Sequence, residues 1–189
     1  MRYLSHPQVL IEPHKDIDKW SLNELGLQRV HQLAERDVLT GTTRVVSSAE
    51  TKAVETARPL AAALGLTVEV RPRMHENDRS ATGFLPSDTF EAVADRFFNN
   101  PAQSILGWET ANHAQQRIVD EVNAVLEGPI TGDLLLVGHG AAGTLLYCAL
   151  SGREIDRKHD QPNGGGCFFS FSTLDRRPRA TWQPMELMS

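Results

Sequence analysis

An α/β domain, a three-layer α/β/α sandwich around a mostly parallel central sheet, is predicted by three features of the sequence. Short apolar or β-branched runs alternate with helical segments of ten or more residues. No linker rich in Pro, Gly or Ser divides the 189 residues. Hydrophobic residues make up 40 % of the chain, enough for one core, and a chain of this size buries roughly 70 % of its unfolded surface. Residues 1–189 are therefore read as a single domain.

Met1 to Ser5 reads as a short buried strand running into His6-Pro7. Trp20 to Val38 carries helical signals: Ser21 is a candidate N-cap with Glu24 three residues on, and Leu22, Leu25, Val30, Leu33 and Ala34 fall near one face. Arg44 to Ser47 is a second strand, Ala49 to Leu64 an alanine-rich helix stopping at Gly65, and Thr67 to Val70 a third strand. Ser87 to Phe98 and Glu109 to Leu126 read as helices. Asp133 to Val137 is a continuous apolar strand and Ala141 to Leu150 a helix closed by Gly152. Cys167 to Leu174 and Ala180 to Trp182 are expected as late, antiparallel strands.

Composition removes several function classes. Nineteen Lys and Arg against 24 Asp and Glu leave a net charge of −5, which disfavours nucleic acid, because phosphate-backbone affinity depends on basic residues. Cys148 and Cys167 lie far apart in sequence, fit neither a disulfide framework nor a cysteine-based zinc site, and read as buried free thiols of a reducing compartment. The opening Met1 to His6 turns polar too soon for a signal peptide. Leu134 to Gly152 lacks Asp, Glu, Lys and Arg, yet Gly138, His139, Gly140 and Gly143 interrupt it, so strand plus helix is preferred to a membrane span. A cytoplasmic protein without a membrane segment is expected.

Ligands of open parallel sheets sit at the carboxyl ends of the strands. His6 ends the first strand, Ser47-Ser48 the second, and Gly138-His139 the apolar one. Two histidines in equivalent positions at that rim suggest chemistry beyond a structural hydrogen bond. Gly138 to Gly143 also matches G-x-G-x-x-G, but the segment around Glu154, Asp156 and Asp160 is not strand-like and too little chain follows for a dinucleotide-binding half. The helix start near Ser48, with Lys52 one turn in, suits an anion.

The order of these segments resembles the histidine phosphatase superfamily, also called the phosphoglycerate mutase-like family. The resemblance rests on strand-His6-Pro7, Trp20-Ser21-Leu22-Asn23-Glu24-Leu25-Gly26, the stretch from Ser47 to Ala57, Glu76, and Gly138-His139-Gly140, and it runs from Met1 to about Gly166. The family usually opens with Arg-His-Gly or Arg-His-Pro and carries a Ser-Pro-Leu-x-Arg-Ala-x-x-Thr-Ala helix. By resemblance, His6 is the nucleophile that takes up the phosphoryl group, His139 stabilises charge on it, and Glu76 protonates the leaving oxygen and activates water. Ser5, Ser48, Lys52 and Gly140 are the expected substrate contacts, with Asp78 and Glu109 as reserve acids. No metal or other cofactor is expected.

Two departures stand out. Ser5 replaces the arginine before the nucleophile and Lys52 the arginine of the helix motif, so two bidentate clamps are missing. Lys15, His14, Arg79 and Arg44 are the candidate substitutes; Arg2 is less suited. Residues 77–108, with Phe84, Phe90, Phe97, Phe98 and Trp108, are expected to form a lid or substrate-specificity segment, although most of these aromatics are expected in the core. The leading expectation is a metal-independent phosphatase acting on a small phosphorylated molecule through a phosphohistidine. The alternative is a phosphate-binding or regulatory protein of the same fold with weakened turnover; a metal hydrolase using His6, His139 and an acid ranks below both.

Overall fold

Leu134, Leu135, Leu136 and Val137 are consecutive and all buried, so each face of their strand must meet apolar cover. Tyr3, Leu134 and Leu136 pack with Ile118, Val122, Val125 and Leu146 on one side of the sheet. Leu4, Leu135 and Val137 pack with Val30, Leu33, Ala53, Ala57 and Leu60 on the other. This alternation produces the three layers that the sequence predicts.

The structure, a computed structural model, describes residues 1–129 and 131–189. Its sheet has six strands: β1 (Arg2–Ser5), β2 (Thr42–Ser48), β3 (Val68–Arg71), β4 (Asp133–Gly138), β5 (Cys167–Ser170) and β6 (Gln183–Pro184), in the order β3-β2-β4-β1-β5-β6. The first four run parallel, and β5 and β6 are antiparallel additions. Helices α1 (Glu24–Ala34) and α2 (Thr51–Ala63) cover one face; α4 (Ala111–Leu126) and α5 (Gly140–Ser151) cover the other. Helix α3 (Ser87–Asn99) adds a satellite core in which Val93, Phe97, Phe98 and Trp108 meet Ala111, Ala114 and Leu145.

Several boundaries differ from expectation. Asn23, not Ser21, caps α1, its side chain accepting from Gly26 N–H at 2.9 Å, while Leu22 bridges to Val9 as short extended structure. Helix α1 ends at Ala34, before a separate turn at Asp37–Leu39. Thr110 caps α4 and leaves Glu109 outside the helix. The final strand falls at Gln183–Pro184 instead of Ala180 to Trp182, because Trp182 is buried against Tyr3 and Phe169. The apolar stretch from Leu134 to Gly152 divides into β4 and α5, and among the described residues no helix is long and apolar enough to cross a membrane.

Candidate active site

β1 and β4 are adjacent and parallel, with Ser5 opposite Gly138, so the residues just past their carboxyl ends must meet. His6 and His139 accordingly form an edge-to-face pair with ring centroids 5.3 Å apart. His6 N–H is held by the Gly138 carbonyl at 2.9 Å, and Gly166 N–H donates to the His6 carbonyl at 2.9 Å. Gly165 takes φ +62°, and a Cβ there would stand 2.4 Å from that same carbonyl oxygen, so only glycine lets the loop wrap the histidine backbone.

The His6 ring is oriented by its neighbour. Its Nδ1 lies 2.8 Å from the Pro7 carbonyl, an acceptor only, so Nδ1 carries the proton and Nε2 keeps a free lone pair. Burial and the nearby Lys52 charge lower the His6 pKa to about 4, so the ring is neutral near pH 7. His139 is fully buried beside it, and burial holds its pKa well below the ordinary imidazole range. Its Nε2 lies 2.8 Å from Ser48 Oγ and 3.5 Å from Glu50 Oε1. Its Nδ1 is buried with no partner among the described residues, as is Asn77 Nδ2. Orphaned buried polar atoms are rare enough to need an explanation, and a ligand at this rim supplies one.

Glu76 lies across the start of α5. Its carboxylate accepts from Ala141 N–H at 3.1 Å and Ala142 N–H at 2.7 Å. Burial raises its pKa above the usual carboxylate range, in spite of those amides. Asp78 and Glu109, the reserve acids, are occupied elsewhere: Asp78 caps a turn at Ser80, and Glu109 binds Arg117 and His113. Glu76 borders the smaller cleft together with His6, and neither Asp78 nor Glu109 lines it.

Lys52 is buried, with Nζ donating to the Ile17 carbonyl at 2.7 Å. Ser48 holds both His139 and the Glu50 N–H. Gly140 packs its backbone against Gln161, and a Cβ there would stand 2.4 Å from Gln161 Nε2. Ser5 is not brought to the cleft. Its buried hydroxyl sits between Gln161 Oε1 and the Cys167 backbone, so Gln161 occupies the space beside Ser5.

Among the candidate cations, Arg44 is tied to Glu69 and the Val125 carbonyl, and Lys15 pairs with Glu12 at 2.9 Å. Arg79 lies over the Phe90 ring with its guanidinium carbon 4.8 Å from the centroid, and among the described residues it makes no ion pair within 4.0 Å. Arg79, Glu76 and Asn77 line both a cleft of about 730 Å³ that includes His14, Asp18 and Phe84, and a smaller one of about 210 Å³ that contains His6. Of the aromatic residues in 77–108, Phe84 lines the larger cleft and Phe90 the smaller one, while Phe97, Phe98 and Trp108 are buried in the satellite core and also border the smaller cleft.

Sequence reasoning missed Glu50, Asn77, Arg117 and Gln161. Glu50 is half-signalled by the motif, since it replaces the family's leucine two positions before Lys52. Its carboxylate pairs with Lys52 Nζ and accepts from Glu76 N–H at 2.7 Å. Burial would raise the Glu50 carboxyl, but the Lys52 ammonium beside it and the Glu76 N–H it accepts hold the group below the usual range. Among the described residues, no cluster of three or more His, Cys, Asp or Glu side chains is arranged to hold a metal ion.

Comparison with known proteins bears on the family and the fold. A curated relative, a probable phosphoglycerate mutase GpmB of Yersinia pestis, is 28 % identical over 135 residues, covering 69 % of this chain and 61 % of its own length. The chain thus matches less than two thirds of that relative. Among solved structures, a mycobacterial glucosyl-3-phosphoglycerate phosphatase superposes with a TM-score of 0.77 at 20 % identity, covering 97 % of this chain and 98 % of the other. A phosphoserine phosphatase from Entamoeba histolytica, in complex with 3-phosphoglyceric acid, gives a TM-score of 0.78 at 15 % identity over 98 % of each chain. The family description "histidine phosphatase superfamily (branch 1)" matches residues 6–181, and the chain belongs to that superfamily.

Proposed function

We propose that the protein is a phosphatase that moves a phosphoryl group from a small phosphorylated substrate to His6 and then to water. The observation that carries this reading is the His6 ring itself: neutral, with Nδ1 committed to the Pro7 carbonyl and Nε2 free, 5.3 Å in ring-to-ring distance from a second buried histidine. In the first step Nε2 attacks phosphorus, the phosphorus–oxygen bond breaks, and the leaving oxygen takes the proton of Glu76. In the second step the Glu76 carboxylate accepts a proton from water, whose oxygen attacks phosphorus and releases His6 with inorganic phosphate. A carboxyl raised by burial suits this exchange of roles.

Lys52, Arg79 and the orphaned nitrogens of His139 and Asn77 are the groups that would meet phosphoryl oxygens. With these cations in place the chemistry needs no metal. The larger cleft, walled by Phe84 and by residues 77–84, would take the rest of the substrate and make 77–108 the specificity segment. The relatives named above act on or bind small phosphorylated metabolites, in keeping with that volume. The buried free thiols Cys148 and Cys167 suit a reducing, cytoplasmic setting.

The test is turnover of an aryl phosphate in EDTA by wild type and His6→Ala. Hydrolysis in EDTA that disappears in the variant supports the reading, and hydrolysis that survives in His6→Ala removes His6 as nucleophile. The second reading, a phosphate-binding protein with weakened turnover, is favoured by the Glu50 carboxylate beside Lys52. Phosphate binding without hydrolysis would select it.

A further inference from the structure

The groups assigned to the phosphoryl oxygens already hold an anion. Glu50 pairs with Lys52, lies 3.5 Å from His139 Nε2, and receives the Glu76 N–H at 2.7 Å. It is mostly buried, with its side chain 10 % exposed, so solvent does little to screen it. We propose that Glu50 is a specificity-determining residue that makes this site select a singly charged phosphoryl group over a dianionic one. The proposal rests on the phosphoryl-site reading above.

The argument is a count of charge in a small buried volume. Burial keeps His6 and His139 neutral, Lys52 is matched by Glu50, and Arg79 lies near Glu76. With Glu76 holding its proton as the acid, Lys52, Arg79 and Glu50 leave one net positive charge, so a dianion entering here is repelled by Glu50 with no cation left for its second charge. A monoanion carries half that repulsion, and a phosphoryl group that retains a P–OH donates it to the Glu50 carboxylate as a charge-assisted hydrogen bond. Lys52 has three N–H donors, two of them spent on Ile17 and Glu50, so it offers one to the ligand. The family's leucine at this position would leave Lys52 unmatched and the site open to dianions. Charged groups facing Glu50 are Lys52 on α2, His139 at the end of β4, and Glu76, Arg79 and His75 on the loop after β3.

The experiment measures binding of inorganic phosphate and of sulfate to the intact protein by calorimetry at pH 5.5 and pH 8, for wild type, Glu50→Gln and Glu50→Leu. Sulfate is a dianion at both pH values, whereas phosphate passes from monoanion to dianion, so sulfate controls for changes in the protein's own charge. Wild type should bind phosphate at pH 5.5 at least tenfold tighter than sulfate at pH 5.5 or phosphate at pH 8. Glu50→Gln and Glu50→Leu, checked for folding by circular dichroism, should reduce that preference to within about threefold, mainly by gaining affinity for the dianions. Equal binding of both ions by wild type, or a preference unchanged in both variants, overturns the proposal while leaving the phosphatase reading in place. Absence of phosphate binding in every protein at both pH values overturns both.

Discussion

Arg117 and Glu109 face each other as a buried fork, with Nε 3.0 Å from Oε1 and Nη2 2.7 Å from Oε2. The same guanidinium donates to the carbonyls of Arg73, His75 and Glu76 at 2.7, 2.9 and 3.3 Å. Arg117 is therefore a positioning residue: it fixes the backbone of the loop that carries the acid. Arg117→Ala should cost about 3–5 kcal/mol in urea unfolding, because it removes the guanidinium fork from the buried Glu109 carboxylate and leaves it only His113 and the Asp78 N–H. Arg117→Lys should keep more stability yet lower kcat, since an ammonium cannot reproduce the fork. A shifted basic limb of the pH–rate profile in Arg117→Lys would tie that loss to Glu76; an unchanged kcat and profile would refute the positioning role.

Arg79 is expected to clamp the substrate in place of the arginine absent at Ser5. Removing a charge-assisted hydrogen bond costs about 1.5–3 kcal/mol, so Arg79→Ala should raise KM for an aryl phosphate about 10–100-fold. Arg79→Lys should recover part of it. A KM within twofold of wild type in Arg79→Ala would place the clamp elsewhere.

The His6 pKa of about 4 makes a pH prediction whose sign is fixed. An unfolded histidine binds its proton below about 6.5, whereas the folded one stays neutral until about 4. The native state therefore gains its full advantage above that unfolded value and loses it as the pH falls toward 4. In this window the stability of His6→Ala should vary with pH by about one proton less than that of wild type. Glu76, raised by burial, acts in the opposite sense, its contribution present at low pH and lost as the pH rises through its folded pKa. Comparing wild type with His6→Ala isolates the histidine. In the rate, kcat/KM should persist below pH 6 if His6 is the nucleophile, as proposed, because its ring is still unprotonated there.

Restoring the family's arginine should fail as a single change. Ser5 is fully buried, and Gln161 and the Cys167 backbone occupy the space around its hydroxyl. Ser5→Arg should destabilise the fold by about 1–3 kcal/mol or more through overpacking, without a gain in activity. Pairing it with Gln161→Gly should return much of the stability. Higher turnover in Ser5→Arg alone would show that Gln161 yields more readily than its contacts imply.

The sequence by itself determined the layers and the two strand-end histidines. Alternating runs, caps and breaks act between near neighbours, so Leu134 to Val137 announces a strand covered on both faces, and the turns after Ser5 and Gly138 announce His6 and His139. Errors at Ser21, Glu109 and the last strand are local competitions that packing decided: Asn23 and Thr110 were better placed to cap, and Trp182 was claimed by the core.

Only the tertiary structure decided how the site is charged. The adjacency of β1 and β4, which lie far apart in the chain, makes the two histidines one unit. Arg79 reaches the cleft by stacking on Phe90, Gln161 closes over Ser5, and Glu50 turns back onto Lys52 and His139. These are contacts between side chains whose directions depend on strand order and helix docking, and residue spacing along the chain carries no record of them. Spacing therefore located the two histidines at the strand ends, and packing set the balance of charge around them.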